Sequence, residues 1–331
     1  MLTRIKIKNL FNVYDYNIDL TNADGSTVKF ITAPNGYGKT TILDFIDASM
    51  KQSYEILFEV PFSQFVLYYD ETAADVEYLY SVTREDEKSN AVDTDLVQTL
   101  SSKLLVRLLR IYDGKETLIE EFSVFHSTDG KTVIKGNTGN TKLFFEPRTC
   151  YYLNDHRLLS IKLTTNDDSL IIEDQARAIE RLNPYPKELK DILASPELSK
   201  QYESRITCFR DIIARCEFAN KRLEIDKRFG FRFVATDKLH TILFLDQLSS
   251  GEKQILIQVF ELLFRADSGM LVMIDEPELS LHMMWQMNYL KNLSQISQLR
   301  GFQCIVATHS PQVFNSLWSK SVDLFSISNK D

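Results

Sequence analysis

The chain has 331 residues, of which 44% are hydrophobic and 25% charged, and its formal net charge is −8. That length supports a substantial core, in one large domain or two lobes, and the composition is that of an ordinary soluble globular protein. The acidic balance excludes a globally basic nucleic-acid binder, and no apolar run approaches the roughly 18 residues of a membrane span.

The N-terminus alternates charge and apolar side chains from Arg4 to Lys8. This is strand patterning, with no apolar signal-peptide core. Tyr14 to Leu20 repeats it, and Ala23-Asp24-Gly25 supplies a turn. Thr27 to Ile31 then reads as a short apolar strand, and a helix is expected from about Lys39 to Met50.

Between them lies Ala33-Pro34-Asn35-Gly36-Tyr37-Gly38-Lys39-Thr40-Thr41. Strand, glycine-containing loop, Lys-Thr and helix is the layout of a phosphate-binding P-loop. Glycines let the backbone wrap a phosphate, and N–H groups at a helix start attract it. Lys39 suits the β- and γ-phosphates of a nucleotide. The Thr40 hydroxyl suits Mg²⁺, a hard ion that prefers oxygen. Ala33 stands where the motif usually has its first glycine; a positive φ there would strain it by about 1 kcal/mol or more. The plain alternative is a strand–turn–helix with an unremarkable lysine.

From about Phe58 to Phe145 the pattern is mostly β, with Asp113-Gly114 as a hairpin signal and further turns at Asp129-Gly130 and Gly136 to Gly139. Glu85 to Asp95 is polar and reads as a loop. Helical patterning follows after about Asn154. Pro196 opens the longest segment, whose apolar residues from Leu198 to Leu223 recur at three- and four-residue steps, predicting one stripe over about eight turns. Residues 200–232 hold nine basic residues (Lys200, Arg205, Arg210, Arg215, Lys221, Arg222, Lys227, Arg228 and Arg232) against five acids. A solvated face with i,i+4 ion pairs is the favoured reading, and a polyanion-binding ridge is the other.

The last ninety or so residues alternate strand and helix. Leu271 to Ile274 and Gln303 to Ala307 are short and almost wholly apolar, as parallel strands buried on both faces are. The first ends in Asp275-Glu276-Pro277. Two carboxylates at the end of an apolar strand are costly unless something binds them, and a metal with a water nucleophile would. Asp275 would order the Mg²⁺ shell and Glu276 would polarise the water. The other strand ends in Thr308-His309-Ser310-Pro311, which puts His309 at a strand's C-terminal edge, where open α/β sheets bind ligands. Leu248-Ser249-Ser250-Gly251-Glu252 opens a further helix, with Ser249 placed to cap it. That helix start is also a second anion site. Cys150, Cys208, Cys216 and Cys304 are scattered without metal spacing, so free thiols in a reducing cytoplasm are expected.

In order, then, the chain carries a P-loop, LSSGEKQ, MIDEPE, ELSLH and THSP. This series resembles an ATP-binding-cassette (ABC) type ATPase head. The resemblance covers the first fifty and last ninety or so residues by motif and the middle in type only. It implies an α/β P-loop NTPase with an antiparallel β subdomain and a helical signature lobe. The nucleotide lobe would take residues 1–150 and 270–331, and the helical lobe 151–269. Lys39 and Thr40 would belong to Walker A, Asp275 and Glu276 to Walker B, Ser249 and Gly251 to the signature, Leu279 to His282 to the D-loop, and His309 would be the switch histidine. Tyr151 to Leu158 resembles the Q-loop segment, with His156 where glutamine is usual.

Pro277 to His282 and Thr308 to Gln312 resemble the soluble branch containing RecF and the OLD ATPases, rather than transporter heads. The helix from Pro196 is far shorter than a condensin-type arm. The end at Asp331 leaves no room for the Toprim domain of OLD nucleases. Three functions follow from the resemblance. One is a regulatory ATPase that dimerises head-to-tail on ATP and controls a separate effector such as a nuclease, as in anti-phage defence. The second is a RecF-like DNA clamp. The third is a low-turnover scaffold or transporter head.

Overall fold

The computed structural model describes residues 1–71, 76–85, 100–127, 131–145, 150–154, 178–279 and 281–328. The 86–95 stretch, the Asp129-Gly130 turn, His156 and Ser280 lie outside them.

The fold is mixed α/β, built on two large sheets. The parallel sheet holds β3 (Val28–Thr32), β9 (Cys150–Asn154), β13 (Leu271–Asp275), β14 (Gln303–Thr308) and β15 (Ser321–Asp323), in the order β15-β3-β14-β13-β9. It thus takes in residues just past position 150. Side chains alternate across a strand, so each strand feeds two cores. Val28, Phe30, Val272, Ile274, Cys304 and Val306 face one core. Ile31, Leu271, Met273, Ile305 and Ala307 face the other. Burial on both faces explains the absence of polar alternation in these segments.

The second core lies beneath a seven-stranded antiparallel sheet: β1 (Leu2–Leu10), β2 (Tyr14–Asp19), β4 (Gln64–Glu71), β5 (Val76–Glu85), β6 (Leu100–Tyr112), β7 (Lys115–Ser127) and β8 (Thr132–Lys135). Ile5, Ile7, Phe65 and Leu67 on its inner face pack with helix α1 (Lys39–Lys51), whose Ile42, Leu43, Phe45 and Ile46 are fully buried. Tyr112 pairs with Lys115 around Asp113 (φ 49°) and Gly114 (φ 69°), the left-handed pair that a tight hairpin requires. Short helices α2 (Glu55–Glu59) and α3 (Gly139–Phe145) join this layer.

The first core is roofed by the helices α4 (Pro184–Ala194), α6 (Glu203–Arg215), α7 (Ser250–Phe264) and α8 (Met283–Arg300), with the short α5 (Pro196–Gln201), which buries no residue, joining α4 to α6. A short α9 (Leu324–Ile327) follows β15. The long helix expected from Pro196 to Leu223 does not form. It breaks at Tyr202 and ends at Arg215, and the chain turns through Glu217 (φ 45°) and Asn220 (φ 55°) into the hairpin β10 (Lys221–Asp226) and β11 (Gly230–Ala235). Leu223 and Ile225 alternate with Arg222 and Glu224, a period of two that a three-to-four spacing count absorbs by accident. Gly230 is required at the hairpin's turn: its φ is +77°, and a Cβ would sit 1.7 Å from the Pro186 carbonyl oxygen. The strand β12 (Ile242–Leu243) completes this small sheet.

Five of the nine basic residues of this region have polar partners within the fold, and those partners are not the i,i+4 helical pairs the sequence reading favoured. Arg222 and Arg232 both bind Glu224, Arg228 binds Asp226, and Lys221 binds Glu252. Arg215 donates to Asn292 and Gln295. The four cysteines are free thiols, and burial pushes Cys208 and Cys216 up to about 11.

Helix α7 is buried along most of its length, with Glu261 fully enclosed. Desolvation raises the Glu261 carboxyl. Hydrogen bonds from Arg181, Tyr151 and Tyr185 outweigh it and hold the group below the ordinary glutamate value. A carboxylate with a depressed folded pKa contributes stability above its unfolded pKa, and loses it as pH falls through the folded value. Arg181→Met would strand that charge. It should cost on the order of 3 kcal/mol in urea unfolding at pH 7, and less at pH 4.

Candidate nucleotide-binding site

Strands β3, β14 and β13 are neighbours, so their C-terminal ends bring three loops to one edge. The P-loop leaves β3, Asp275-Glu276 ends β13 and His309 follows β14.

In the P-loop, Gly36 has φ +88° and Gly38 has φ +84°. At Gly38, the N-cap of α1, a Cβ would also lie 2.9 Å from Leu10 Cδ2 and 3.1 Å from Phe11 Cε2. Gly38→Ala is therefore expected to lower stability by about 1–2 kcal/mol without nucleotide, measured by thermal denaturation. Ala33 does not take a positive φ, so its methyl group carries no such strain. Tyr37 is braced from behind: its carbonyl accepts from Tyr16 Oη at 2.9 Å, and its ring packs on Tyr14 and Phe325.

Lys39 is buried, and its Nζ donates to the Ala33 carbonyl at 2.9 Å and lies 3.6 Å from Glu276 Oε1. Thr40 Oγ1 donates to Asp275 Oδ2 at 2.7 Å. Glu276 has φ 45°, an unusual conformation for a non-glycine residue, and its N–H is tied to the Ala307 carbonyl at 2.8 Å. That kink carries the Glu276 side chain off the strand axis, where Oε2 stands 3.2 Å from His309 Nδ1. A cavity of about 350 Å³ is lined by Asn35, Gly36, Gly38, Lys39, Thr40, Thr41, Glu276 and Phe11.

The sequence reading missed two of the residues here. Phe11 sits in a turn between Asn9 and Asn12, with positive φ at all three, and lines the cavity. An apolar residue amid turn formers was its only signal. Glu278 is buried and accepts from Thr308 Oγ1 at 2.6 Å, His309 N at 2.9 Å and Ser310 N at 3.2 Å. Its signal was a third acid after an apolar strand.

Ser249 and Gly251 stand elsewhere. Ser249 caps α7 in a reciprocal box: its Oγ accepts from Glu252 N at 3.3 Å, and Glu252 Oε2 accepts from Ser249 N at 2.7 Å. With His282, Met284 and Trp285 they border a second cavity of about 750 Å³, which shares no lining residue with the first.

The donors suit Mg²⁺ and a polyphosphate. A hydroxyl and a carboxylate oxygen meet beside a glycine cradle, and a buried ammonium stands among carbonyls. Fold and site together are those of a P-loop NTPase.

A family model described as "AAA domain, putative AbiEii toxin, Type IV TA system" matches residues 34–315. The chain belongs to that family of P-loop ATPases. It is also 35% identical over 97 residues to the retron Ec83 probable ATPase of Escherichia coli, a match covering 26% of this chain and 18% of that protein. The chain thus matches under a fifth of that relative's length. Among solved structures, an Smc head bound to the C-terminal winged-helix domain of ScpA is similar at 14% identity and TM-score 0.47, covering 94% of this chain and 90% of that one. The SMC head domain from Thermotoga maritima is similar at 14% identity and TM-score 0.45, covering 95% and 91%. No helix among the described residues is long and apolar enough to cross a membrane.

Proposed function

We propose that this chain is a cytoplasmic regulatory ATPase that binds and hydrolyses ATP, pairs head-to-tail on ATP, and controls a separately encoded effector such as a nuclease in anti-phage defence. The observation that carries the ATPase reading is the convergence of Lys39, Thr40, Asp275, Glu276 and His309 at the ends of three adjacent strands. The P-loop backbone and Lys39 hold the phosphates, and Phe11 offers a stacking face to the base. Thr40 and Asp275 would hold Mg²⁺, which neutralises phosphate charge when bound. Glu276 takes the proton of the attacking water, and His309 approaches the γ-phosphate from the next strand. The toxin–antitoxin family description and the retron relative support the defence and effector parts of the reading. The separation of the Ser249 cavity from the Lys39 cavity supports pairing between copies. The test compares ATP binding and phosphate release in the wild type, Lys39→Ala and Glu276→Gln.

A RecF-like DNA clamp is weakened by the pairing of Arg215, Lys221, Arg222, Arg228 and Arg232 within the fold. Duplex DNA titrated at low salt is expected to give no steeply salt-dependent binding. Binding that falls steeply with salt and is abolished by charge reversal at Arg210 and Arg222 would restore the clamp reading.

A further inference from the structure

The ATPase reading gives Glu278 no part, yet this buried carboxylate gathers the whole switch loop. Its Oε1 accepts from Thr308 Oγ1, His309 N and Ser310 N, and lies 3.1 Å from His309 Nδ1. Glu276 Oε2 stands 3.2 Å from the same nitrogen. Carboxylate oxygens accept hydrogen bonds, so the proton that both can share is one on Nδ1. The other ring nitrogen, Nε2, is then the one left for a ligand, and the His309 side chain is 44% exposed.

We propose that Glu278 is the positioning residue of His309. Its carboxylate orients the ring by accepting from Nδ1–H, a proton it shares with Glu276. The imidazole therefore meets the nucleotide through Nε2, and Glu276 is not wholly engaged by the histidine. This rests on the ATPase reading for its consequence in turnover, but not for the state of the ring.

The substitution that separates charge from scaffolding is Glu278→Gln. The amide oxygen can replace Oε1 and keep the Thr308, His309 and Ser310 donors. The amide nitrogen falls at Oε2, which has no hydrogen-bond partner among the described residues. Loop geometry survives while the charge is lost. The expected result is a roughly tenfold to hundredfold lower kcat with KM for ATP within about twofold. The same substitution in a His309→Ala background should have no further effect, because Glu278 acts through that ring. Independently, ¹⁵N NMR of histidine-labelled protein should show His309 protonated at Nδ1 in the wild type and in Glu278→Gln, whose amide oxygen still accepts there, while Glu278→Leu, which leaves no acceptor at that position, should move the population toward Nε2–H.

Wild-type kcat in Glu278→Gln, an equal loss in the His309→Ala background, or a wild-type ring protonated at Nε2 alone would each overturn the proposal. A wild type that hydrolyses no ATP would instead overturn the ATPase reading, with the NMR arm still deciding whether Glu278 sets the ring. If Glu278→Gln fails to fold, the wild-type spectrum carries that decision alone.

Discussion

Glu276→Gln is expected to keep ATP binding and to lower the rate of phosphate release by about 10²–10³-fold. The substitution preserves size and leaves an oxygen to face His309 Nδ1, now 3.2 Å from Glu276 Oε2. It removes the one capacity hydrolysis needs at that position, since an amide does not accept the water's proton. The backbone favours this reading of the residue. Glu276 holds φ 45° although glycine would sit there without strain, and a conformation costing roughly 1–3 kcal/mol persists only where the surroundings impose it. The bond from its N–H to the Ala307 carbonyl is part of that imposition. Lys39→Ala should fail earlier in the cycle. It deletes the buried ammonium of the phosphate cradle and leaves Glu276 without its cationic neighbour 3.6 Å away, so nucleotide affinity should fall about tenfold to a hundredfold in an equilibrium titration. Full hydrolysis in Glu276→Gln would sink the assignment of the base. Unchanged affinity in Lys39→Ala would sink the cradle.

Those two residues were legible in the sequence because their chemistry is local. A P-loop is a contiguous run of residue types, and Asp275-Glu276 ends a strand whose apolar run announces burial on both faces. The hairpin at Asp113-Gly114 was legible for the same reason, since its turn type demands those two residues. Legibility ended where spacing was ambiguous or the partner was distant. Leu223 fits a helical step from Cys216 by number, and only the alternation after Lys221, with the glycine forced on position 230 by Pro186, shows a hairpin. Phe11 and Glu278 gain meaning from residues on other elements, Gly38 in one case and the 308–310 loop in the other. The ion pairs of the basic region likewise reach across a hairpin, or from Lys221 to Glu252, where no i,i+4 rule looks. Of the pairs in this region, only Lys221–Glu252 brings in an acid from outside the 200–232 count.

The second large effect concerns assembly. With ATP present, Glu276→Gln should shift from monomer to dimer by light scattering, and adding Ser249→Arg should reverse the shift. Within one copy, Ser249 and Gly251 border a cavity that shares no lining residue with the Lys39 cavity. A signature helix start has an anion site but no phosphate of its own, so under the proposed function a second copy brings the phosphate to it. Two-fold pairing then buries two nucleotides symmetrically. The surface beside the signature suits such a contact, because Met283 and Met284 are each 56% exposed and Met287 46%. Under that proposal ATP would favour the pair by binding the closed dimer better than the open monomer, and blocking hydrolysis would hold that state. Ser249 is exposed at its cap, so an arginine there fits the monomer while its bulk obstructs an approaching γ-phosphate. It also removes the cap hydrogen bond to Glu252 N, a loss of about 1 kcal/mol that a melting curve should register separately from assembly. Lys39→Ala should remain monomeric under all conditions. A Glu276→Gln protein that binds ATP and yet stays monomeric at high concentration would count against pairing between copies, and would leave the signature to a partner of different sequence.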